Sequence, residues 1–226
     1  MMEHNCTSCP FNRQAMNTLS QSSFDKLNAN HAVVSFEKGS TIIKQGMFST
    51  NVAFLREGLV KLHLAGPYYE QIVRLVKAPT YLGLPTTFGN KINQYSATAI
   101  SEAEVCFIDI QIFRELLEKN HQFSYEIILE LCRNELESFR RCANRTQKQS
   151  RGNIAAFLLE LSGDIFQSDE FLLPLNQQEI GNLIDSTRES VSRILTEFSK
   201  DEIIRMDGKK IKILNRSTLE LISKNG

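Results

Sequence analysis

Residues 188–195 combine a polar face and an apolar face at the spacing of an α-helix. The polar residues, at positions i, i+1, i+4 and i+5, are Arg188, Glu189, Ser192 and Arg193. The apolar residues behind them are Val191, Ile194 and Leu195. Arginine can make a bidentate contact with a guanine edge, and glutamate can accept from the amino group of cytosine. The pattern therefore suits a helix in the major groove of DNA, although it would also suit a solvated helix held by ion pairs.

The residues before this segment predict a second helix and a tight turn. Apolar residues recur at helical spacing over residues 178–184, and Ser186 or Thr187 is well placed to cap the helix that follows. Two helices joined by a short turn are typical of DNA-reading proteins. This context favours DNA reading over ordinary ion pairs. The candidate DNA-contacting residues in it are Gln178, Ser186, Thr187, Arg188, Glu189, Ser192 and Arg193.

A β-hairpin is predicted directly after these helices. Asp207 and Gly208 form a strong two-residue turn signal between the β-rich segments 203–205 and 210–213. A hairpin in this position makes a winged helix. Lys209 and Lys210 would then lie near its tip, where a DNA phosphate could bind.

The composition limits the kinds of protein that this chain can be. Its 226 residues are 42% hydrophobic and 23% charged, with a formal net charge of zero. This is long enough for two modest domains or one large one. Zero net charge argues against a non-specific nucleic-acid coat protein, so any DNA affinity must come from locally placed positive charge.

Several other functions and locations are disfavoured by what the sequence lacks. No stretch is apolar and long enough to span a membrane, and the N-terminus has no apolar signal core, so we expect a cytoplasmic protein. Five cysteines, an odd number, suit free thiols or metal ligands better than a disulfide framework. We expect no enzymatic activity and no catalytic residues, because no Ser/His/Asp set, phosphate-cradling glycine loop or paired-carboxylate motif can be found.

The elements that would carry and control the DNA-reading helix lie upstream. Short β-rich segments punctuated by glycines predict a small antiparallel barrel or sandwich, followed by a short helix over residues 109–119. The predicted strands cover residues 33–36, 41–43, 52–55, 59–64, 71–75, 97–99 and 104–108.

A long helix is then predicted over residues 123–149, and a further helix over residues 154–162. Apolar side chains in the long helix alternate by three and four, the a/d seam of a coiled coil. They are Leu129, Cys132, Leu136, Phe139 and Ala143. The seam could pack on the helix's own domain. Self-association is favoured because paired recognition helices need a two-fold axis to read two half-sites.

Together, the glycine-punctuated β-roll, the long helix and the winged helix resemble the Crp/Fnr family of bacterial transcription regulators. The resemblance runs from about residue 33 and is most specific at Q-E-I-G-N-L-x-x-S-T-R-E-S-V-S-R-I-L. It implies an α+β fold with an N-terminal antiparallel β-roll (a cupin-like jelly roll), a long dimerisation helix and a C-terminal winged helix-turn-helix. The implied domains are a sensory β-roll (residues 1–122), the dimerisation helix (123–150) and the DNA-binding domain (151–226).

The resemblance also implies how the protein would act. A Crp/Fnr regulator would be a homodimer on a palindromic double-stranded DNA operator, with RNA polymerase as a further partner. The family's Glu-x-x-x-Arg core, which reads a G·C-containing half-site, falls on Glu189 and Arg193. Arg188 matches the cyclic-AMP-receptor branch, whereas Ser192 matches the Fnr branch. The helix is therefore a hybrid of the two, and neither branch's half-site can be assigned to it.

The resemblance does not extend to the ligand residues of the cyclic-AMP branch. That branch uses a Gly-Glu-Leu segment for the ribose and an Arg-Ser pair for the phosphate. The matching residues, which are our candidate effector pocket, are Gly83, Leu84 and Pro85 with Tyr95 and Ser96. A buried cyclic phosphate would lack its charge-assisted partner here. We therefore do not expect cyclic AMP to bind.

Metal or redox sensing is an alternative that the cysteines suggest. Cys6 and Cys9 form a C-x-x-C, and with Cys106 they match three cysteine ligands of Fnr-type iron–sulfur regulators. The remaining cysteine of that set is absent, so an iron–sulfur cluster or zinc would need another ligand such as His4. Cys106 could equally be a packing residue, and the effector could be an unknown small molecule or none. A module that binds a ligand and another protein, without DNA, is the alternative from another class.

Overall fold

The computed structural model describes residues 18–226, which form two compact units. The first contains residues 18–65 and Val73–Leu136, and the second contains Gly66–Ile72 and Glu137–Gly226. The long helix α4 (His121–Gln147) contributes residues to both, and the first three residues of strand β5 (Glu70–Lys77) are counted with the second unit.

The first unit is a β-roll with short helices around it. Its strands are β1 (His31–Phe36), β2 (Thr41–Ile43), β3 (Asn51–Glu57), β4 (Leu59–Ala65), β5 (Glu70–Lys77), β6 (Thr80–Leu82), β7 (Ser96–Ala99) and β8 (Ala103–Asp109). They form two four-stranded sheets, in the orders β1-β8-β3-β6 and β2-β7-β4-β5. Each strand predicted from the sequence is present, with ends that differ by at most two residues.

Strand β6 and helix α2 (Leu84–Phe88) of this unit are not predicted from the sequence. Strand β6 is only three residues long and buried throughout, so it shows no alternation of polar and apolar residues. Helix α2 follows it directly. Gly83 begins this helix with a φ of 77°, in the left-handed region that favours glycine, and Pro85 lies in its first turn.

Two apolar clusters hold the unit together, one on each side of strand β3. Ala53 and Leu55 face the second sheet, where they pack with residues such as Val60 and Leu62. Val52 and Phe54 belong to the other cluster, which α1 (Gln21–Ala29), α3 (Ile110–Lys119) and α4 cover. Full burial of one such side chain stabilises the fold by about 1.5–3 kcal/mol. Because both faces of β3 are buried, its residues form an almost continuous apolar run.

The second unit is a winged helix. It contains α5 (Ser150–Glu160), a π-helical turn (Leu161–Ile165), β9 (Glu170–Leu172), α6 (Gln177–Ile184), α7 (Arg188–Lys200), β10 (Ile204–Asp207), β11 (Lys210–Ile213) and α8 (Arg216–Asn225). The three strands form one sheet in the order β10-β11-β9. No helix within residues 18–226 is long and apolar enough to cross a membrane.

The predicted bounds of the two helices before the helix-turn-helix are wrong by a few residues. Helix α4 ends at Gln147 and α5 begins at Ser150, because Gln149 is extended (ψ 165°) and Asn153 Nδ2 donates to the carbonyl of Lys148 at 3.2 Å. Gly152 lies inside α5 rather than before it. A side chain there would collide with the backbone of Gly226, so this glycine permits close packing instead of breaking the helix.

The turn of the wing is also shifted by one residue from its predicted place. Asp207 pairs with Lys210, so the two turn residues are Gly208 and Lys209. Gly208 has a φ of 57°. Glycine at the first central position is what a type II′ hairpin requires. The shift leaves Lys209 in the turn itself.

Candidate nucleic-acid interface

Helix α6 begins at a hydrogen-bonded capping box and ends at a residue in the left-handed conformation. Asn176 Oδ1 accepts from the Glu179 backbone N–H, and Glu179 Oε2 accepts from the Asn176 N–H, each at 2.9 Å. This reciprocal capping box starts the helix. At the other end Asp185 adopts a left-handed conformation (φ 59°). Gly181 lets the turn pack closely, because a Cβ there would lie 2.6 Å from the Ser186 carbonyl oxygen.

Thr187, rather than Ser186, caps the second helix. Its hydroxyl accepts from the Ser190 N–H at 3.2 Å. The Ser186 hydroxyl is instead 3.0 Å from that of Ser150 on α5, in a half-buried position. Of the two candidate caps, Thr187 therefore starts α7, and Ser186 joins the turn to the neighbouring helix.

Helix α7 separates an apolar face from a polar one. Val191, Ile194, Leu195 and Phe198 are buried. Arg188, Glu189 and Arg193 are exposed, and Ser192 is half-buried. Glu189 lies in the first turn, where the positive end of the helix dipole stabilises a carboxylate. This face can therefore offer guanidinium donors and a carboxylate acceptor to a ligand.

Arg193 takes part in an ion-pair network that is not predicted from the sequence. Its Nη1 lies 2.7 Å from Glu197 Oε1, and Glu197 Oε2 lies 3.0 Å from Arg151 Nη1. Arg151 Nη2 also lies 3.3 Å from Asp201 Oδ2, and its guanidinium stacks over the Phe198 ring at 4.9 Å. The i,i+4 spacing of Arg193 and Glu197 could have revealed one pair. Arg151 is distant in the chain and gave no such signal.

The remaining predicted DNA-contacting residues lie on α6 and the wing. Gln178 Nε2 donates to Asn182 Oδ1 at 3.0 Å on the exposed side of α6. Lys209 is an exposed residue in the wing turn. Lys210 instead lies 2.5 Å from Glu170 Oε1, and this bond raises the pKa of Lys210 and lowers that of Glu170. Lys209 is therefore the better placed of the two lysines for a phosphate.

The candidate effector residues in the β-roll bond to one another or to neighbouring backbone. The Tyr95 hydroxyl accepts from the Gly83 N–H at 3.0 Å, and the Ser96 hydroxyl accepts from the Gln45 N–H at 3.0 Å. Burial raises the pKa of the Tyr95 phenol, while the Gly83 bond and the nearby Arg74 guanidinium lower it. Leu84 and Pro85 form the first turn of α2.

Arg74 is a cation in this region that is not predicted from the sequence. It lies on β5, half-buried, and its Nη1 donates to Asn134 Oδ1 on α4 at 3.2 Å. Nothing in the spacing of Arg74 marks it, because Arg74 on β5 comes near Tyr95, the residue before β7, only when the chain folds into the sheet that contains both strands.

The described residues do not supply a metal site. Cys106 is buried in β8 and packs with Phe54 and Tyr81, as a small apolar residue would. Cys6 and Cys9 lie outside the described residues. Within residues 18–226, no group of three or more His, Cys, Asp or Glu side chains is arranged for a metal ion.

Each of the two units matches the model of a known domain family. Residues 33–120 match the family described as cyclic nucleotide-binding domain, and residues 153–222 match the Crp-like helix-turn-helix domain. The chain is also 29% identical over 209 residues to the fumarate and nitrate reduction regulatory protein of Vibrio cholerae, covering 89% of this chain and 83% of that protein. The chain belongs to the Crp/Fnr family.

Further proteins align with most of this chain. The anaerobic regulatory protein of Aggregatibacter actinomycetemcomitans is 27% identical over 228 residues, covering 98% of this chain and 88% of that protein. FixK2 from Bradyrhizobium japonicum is 19% identical, with a TM-score of 0.77 over 85% of this chain and 96% of that chain. A putative Crp/Fnr regulator from Eubacterium rectale is 16% identical, with a TM-score of 0.78 over 94% and 99%. These structures show the shared fold.

Membership of the Crp/Fnr family identifies the chain as a transcription regulator with a helix-turn-helix DNA-binding domain. It confirms the predicted fold class and the absence of enzymatic function, because this family consists of regulators rather than enzymes. It also favours DNA binding over a module that contacts only proteins and ligands.

Proposed function

We propose that this Crp/Fnr regulator acts as a homodimer that reads a two-fold symmetric operator with α7. The observation that carries the proposal is the exposure of Arg188, Glu189 and Arg193 on a helix whose other face is buried. Glu189 and Arg193 are the base-reading pair, since carboxylate and guanidinium match cytosine and guanine edges. The residues assigned to supporting contacts with bases or backbone are Arg188, Ser192, Gln178, Ser186, Thr187 and Lys209.

The exposed stripe on α4 supports the homodimer. Ile128, Leu136 and Phe139 are 54%, 63% and 62% exposed, and Cys132 is exposed between them. Large apolar side chains at three- and four-residue spacing form a self-complementary seam when two copies of a helix pack around a two-fold axis. A second copy of this chain is therefore the occupant of the stripe.

The operator follows from this symmetry. Two copies of α7 related by a two-fold axis read inverted half-sites about one helical turn of DNA apart. RNA polymerase is the further partner at such a promoter.

Selection from random duplex DNA with the full-length protein tests this function. We expect an enriched inverted repeat whose half-sites contain a guanine that is lost in selections with Arg193→Ala. Enrichment of no motif, or of a motif without inverted symmetry, would reject the proposal.

The controlling signal is assigned to the β-roll, and we do not expect it to be cyclic AMP. Tyr95 and Leu84 replace the arginine and glutamate of the cyclic-AMP branch, and the Tyr95 hydroxyl bonds to the Gly83 amide. A cyclic phosphate at this place would be buried without a guanidinium from position 95.

Redox or metal sensing is the second candidate, favoured by the C-x-x-C of Cys6 and Cys9 and by relatives named as anaerobic regulators. Anaerobic purification followed by visible absorption and metal analysis tests it. We expect bound iron or zinc that is lost in Cys6→Ala. Colourless, metal-free protein that still binds its operator would reject it.

A further inference from the structure

The base-reading arginine is connected to the core of its unit through one carboxylate. Glu197 accepts from Arg193 with one oxygen (2.7 Å) and from Arg151 with the other (3.0 Å). Arg151 is in turn held from two sides, by Asp201 at 3.3 Å and by the face of the buried Phe198 ring. The result is a continuous path from a core aromatic ring to the exposed guanidinium of Arg193.

We infer that Glu197 is a positioning residue that sets the DNA specificity of Arg193, an inference that rests on the proposed operator reading. Glu197 bonds the Nη1 nitrogen of Arg193. A guanidinium carries further N–H donors on its other nitrogens, and these suit the O6 and N7 acceptors of guanine. Glu197 therefore does not have to be displaced when Arg193 reads a base.

The anchoring of Glu197 explains why it can orient Arg193. A lone i,i+4 pair on a helix surface holds its partners weakly, since both long side chains retain rotamer freedom. Here the carboxylate is 37% exposed and is fixed at its second oxygen by an arginine from another helix. Fixing the guanidinium before binding reduces the ordering that DNA must impose on it.

The same carboxylate has an opposite effect on contacts that do not read sequence. Glu197 lies one helical turn beyond Arg193, so a DNA backbone near Arg193 meets a negative charge that lowers its affinity for phosphate. Glu197 therefore acts in two ways at once. It favours the correct guanine through Arg193, and it disfavours DNA in general through its charge.

Comparison of Glu197→Gln with Glu197→Asp separates these two effects in the full-length protein. We expect the ratio of operator affinity to affinity for unrelated duplex DNA to fall roughly three- to tenfold, while affinity for unrelated DNA rises. Glu197→Asp keeps the charge but shortens the side chain, so it should lower the ratio without raising affinity for unrelated DNA. Glu220→Gln, an exposed carboxylate on α8, is the charge-matched control and should leave the ratio unchanged.

A double-mutant cycle with Arg193→Ala shows whether Glu197 acts through Arg193. In the Arg193→Ala background, Glu197→Gln should cause no further loss of discrimination. An unchanged ratio in Glu197→Gln, or the same loss with and without Arg193, would overturn the inference. A wild-type protein that discriminates no operator would instead reject the proposed function. Thermal unfolding of each variant confirms that its fold is intact.

Discussion

The hydroxyl of Tyr95 and the backbone N–H of Gly83 form a 3.0 Å hydrogen bond that links the end of the loop before β7 to the start of α2. Both residues belong to the effector pocket that we infer from the resemblance to the cyclic-AMP branch of the family. In this chain the two positions bond to each other. Two consequences, one for stability and one for ligand binding, can be measured.

Tyr95→Phe should lower the free energy of unfolding by about 1–3 kcal/mol, because it removes the acceptor of a buried amide. Chemical denaturation of the full-length protein measures the change. Tyr68→Phe is the matched control, since Tyr68 is 92% exposed and should give no change.

In the same denaturation assay, cyclic AMP should not stabilise the wild-type protein. Stabilisation that grows with its concentration would show that the pocket accepts a cyclic nucleotide after all.

Arg193→Ala and Lys209→Ala should weaken operator binding in different ways. Loss of a base-reading arginine costs about 1–3 kcal/mol per half-site and relaxes discrimination at one guanine. Loss of a phosphate-binding lysine weakens binding to all sequences and reduces the slope of log K against log salt by about one unit. Binding titrations at several salt concentrations, with matched and substituted operators, distinguish the two. Uniform weakening by Arg193→Ala would make Arg193 a phosphate contact instead.

Leu136→Glu should convert the protein to monomers and abolish tight operator binding. A charge on the exposed stripe of α4 would have to be buried in the proposed dimer seam, which is unfavourable without a partner. Ser138→Glu introduces the same charge on the same helix, outside the three- and four-residue seam, and should leave the dimer intact. Sedimentation equilibrium measures the mass of each variant. Dimers of Leu136→Glu that match the wild type in stability would place the interface elsewhere.

The winged helix should lose stability in acid through Asp169. Hydrogen bonds from Arg216 and Ser162 lower the pKa of Asp169 below the ordinary value of an aspartate side chain. A carboxylate with a lowered pKa contributes stability that is present above the unfolded pKa and is lost as the pH falls through the folded one. The contribution is small, below about 1 kcal/mol, because this pair is half-exposed. Asp169→Asn should therefore flatten the pH dependence of unfolding below about pH 4. If Asp169→Asn left the pH dependence of unfolding in acid unchanged, the bond between Arg216 and Asp169 would not stabilise the fold.

Local patterns predicted much of this fold. The strands of the β-roll could be predicted because glycine turns bound short β-rich segments, and α7 because apolar residues recur at helical spacing. Errors arose where the local pattern was short or ambiguous. Strand β6 is too short to alternate, and the helix predicted to begin at residue 154 in fact includes Gly152, which packs closely against Gly226. The turn of the wing moved by one residue because both Asp207-Gly208 and Gly208-Lys209 are suitable turn pairs.

The amino-acid sequence by itself determined the polar and apolar faces of α7, because residues within one helix are neighbours at spacings that can be counted along the chain. It also determined the family, since Glu189 and Arg193 stand within a continuous motif. Only the tertiary structure decided that Thr187 caps the helix, that Tyr95 bonds to Gly83, and that Arg151 reaches Glu197. The last two contacts join residues far apart in the chain, so their existence depends on how sheets and helices pack. For the same reason the contact of Arg193, the proposed base reader, with a Glu197 that Arg151 also binds is seen only after folding.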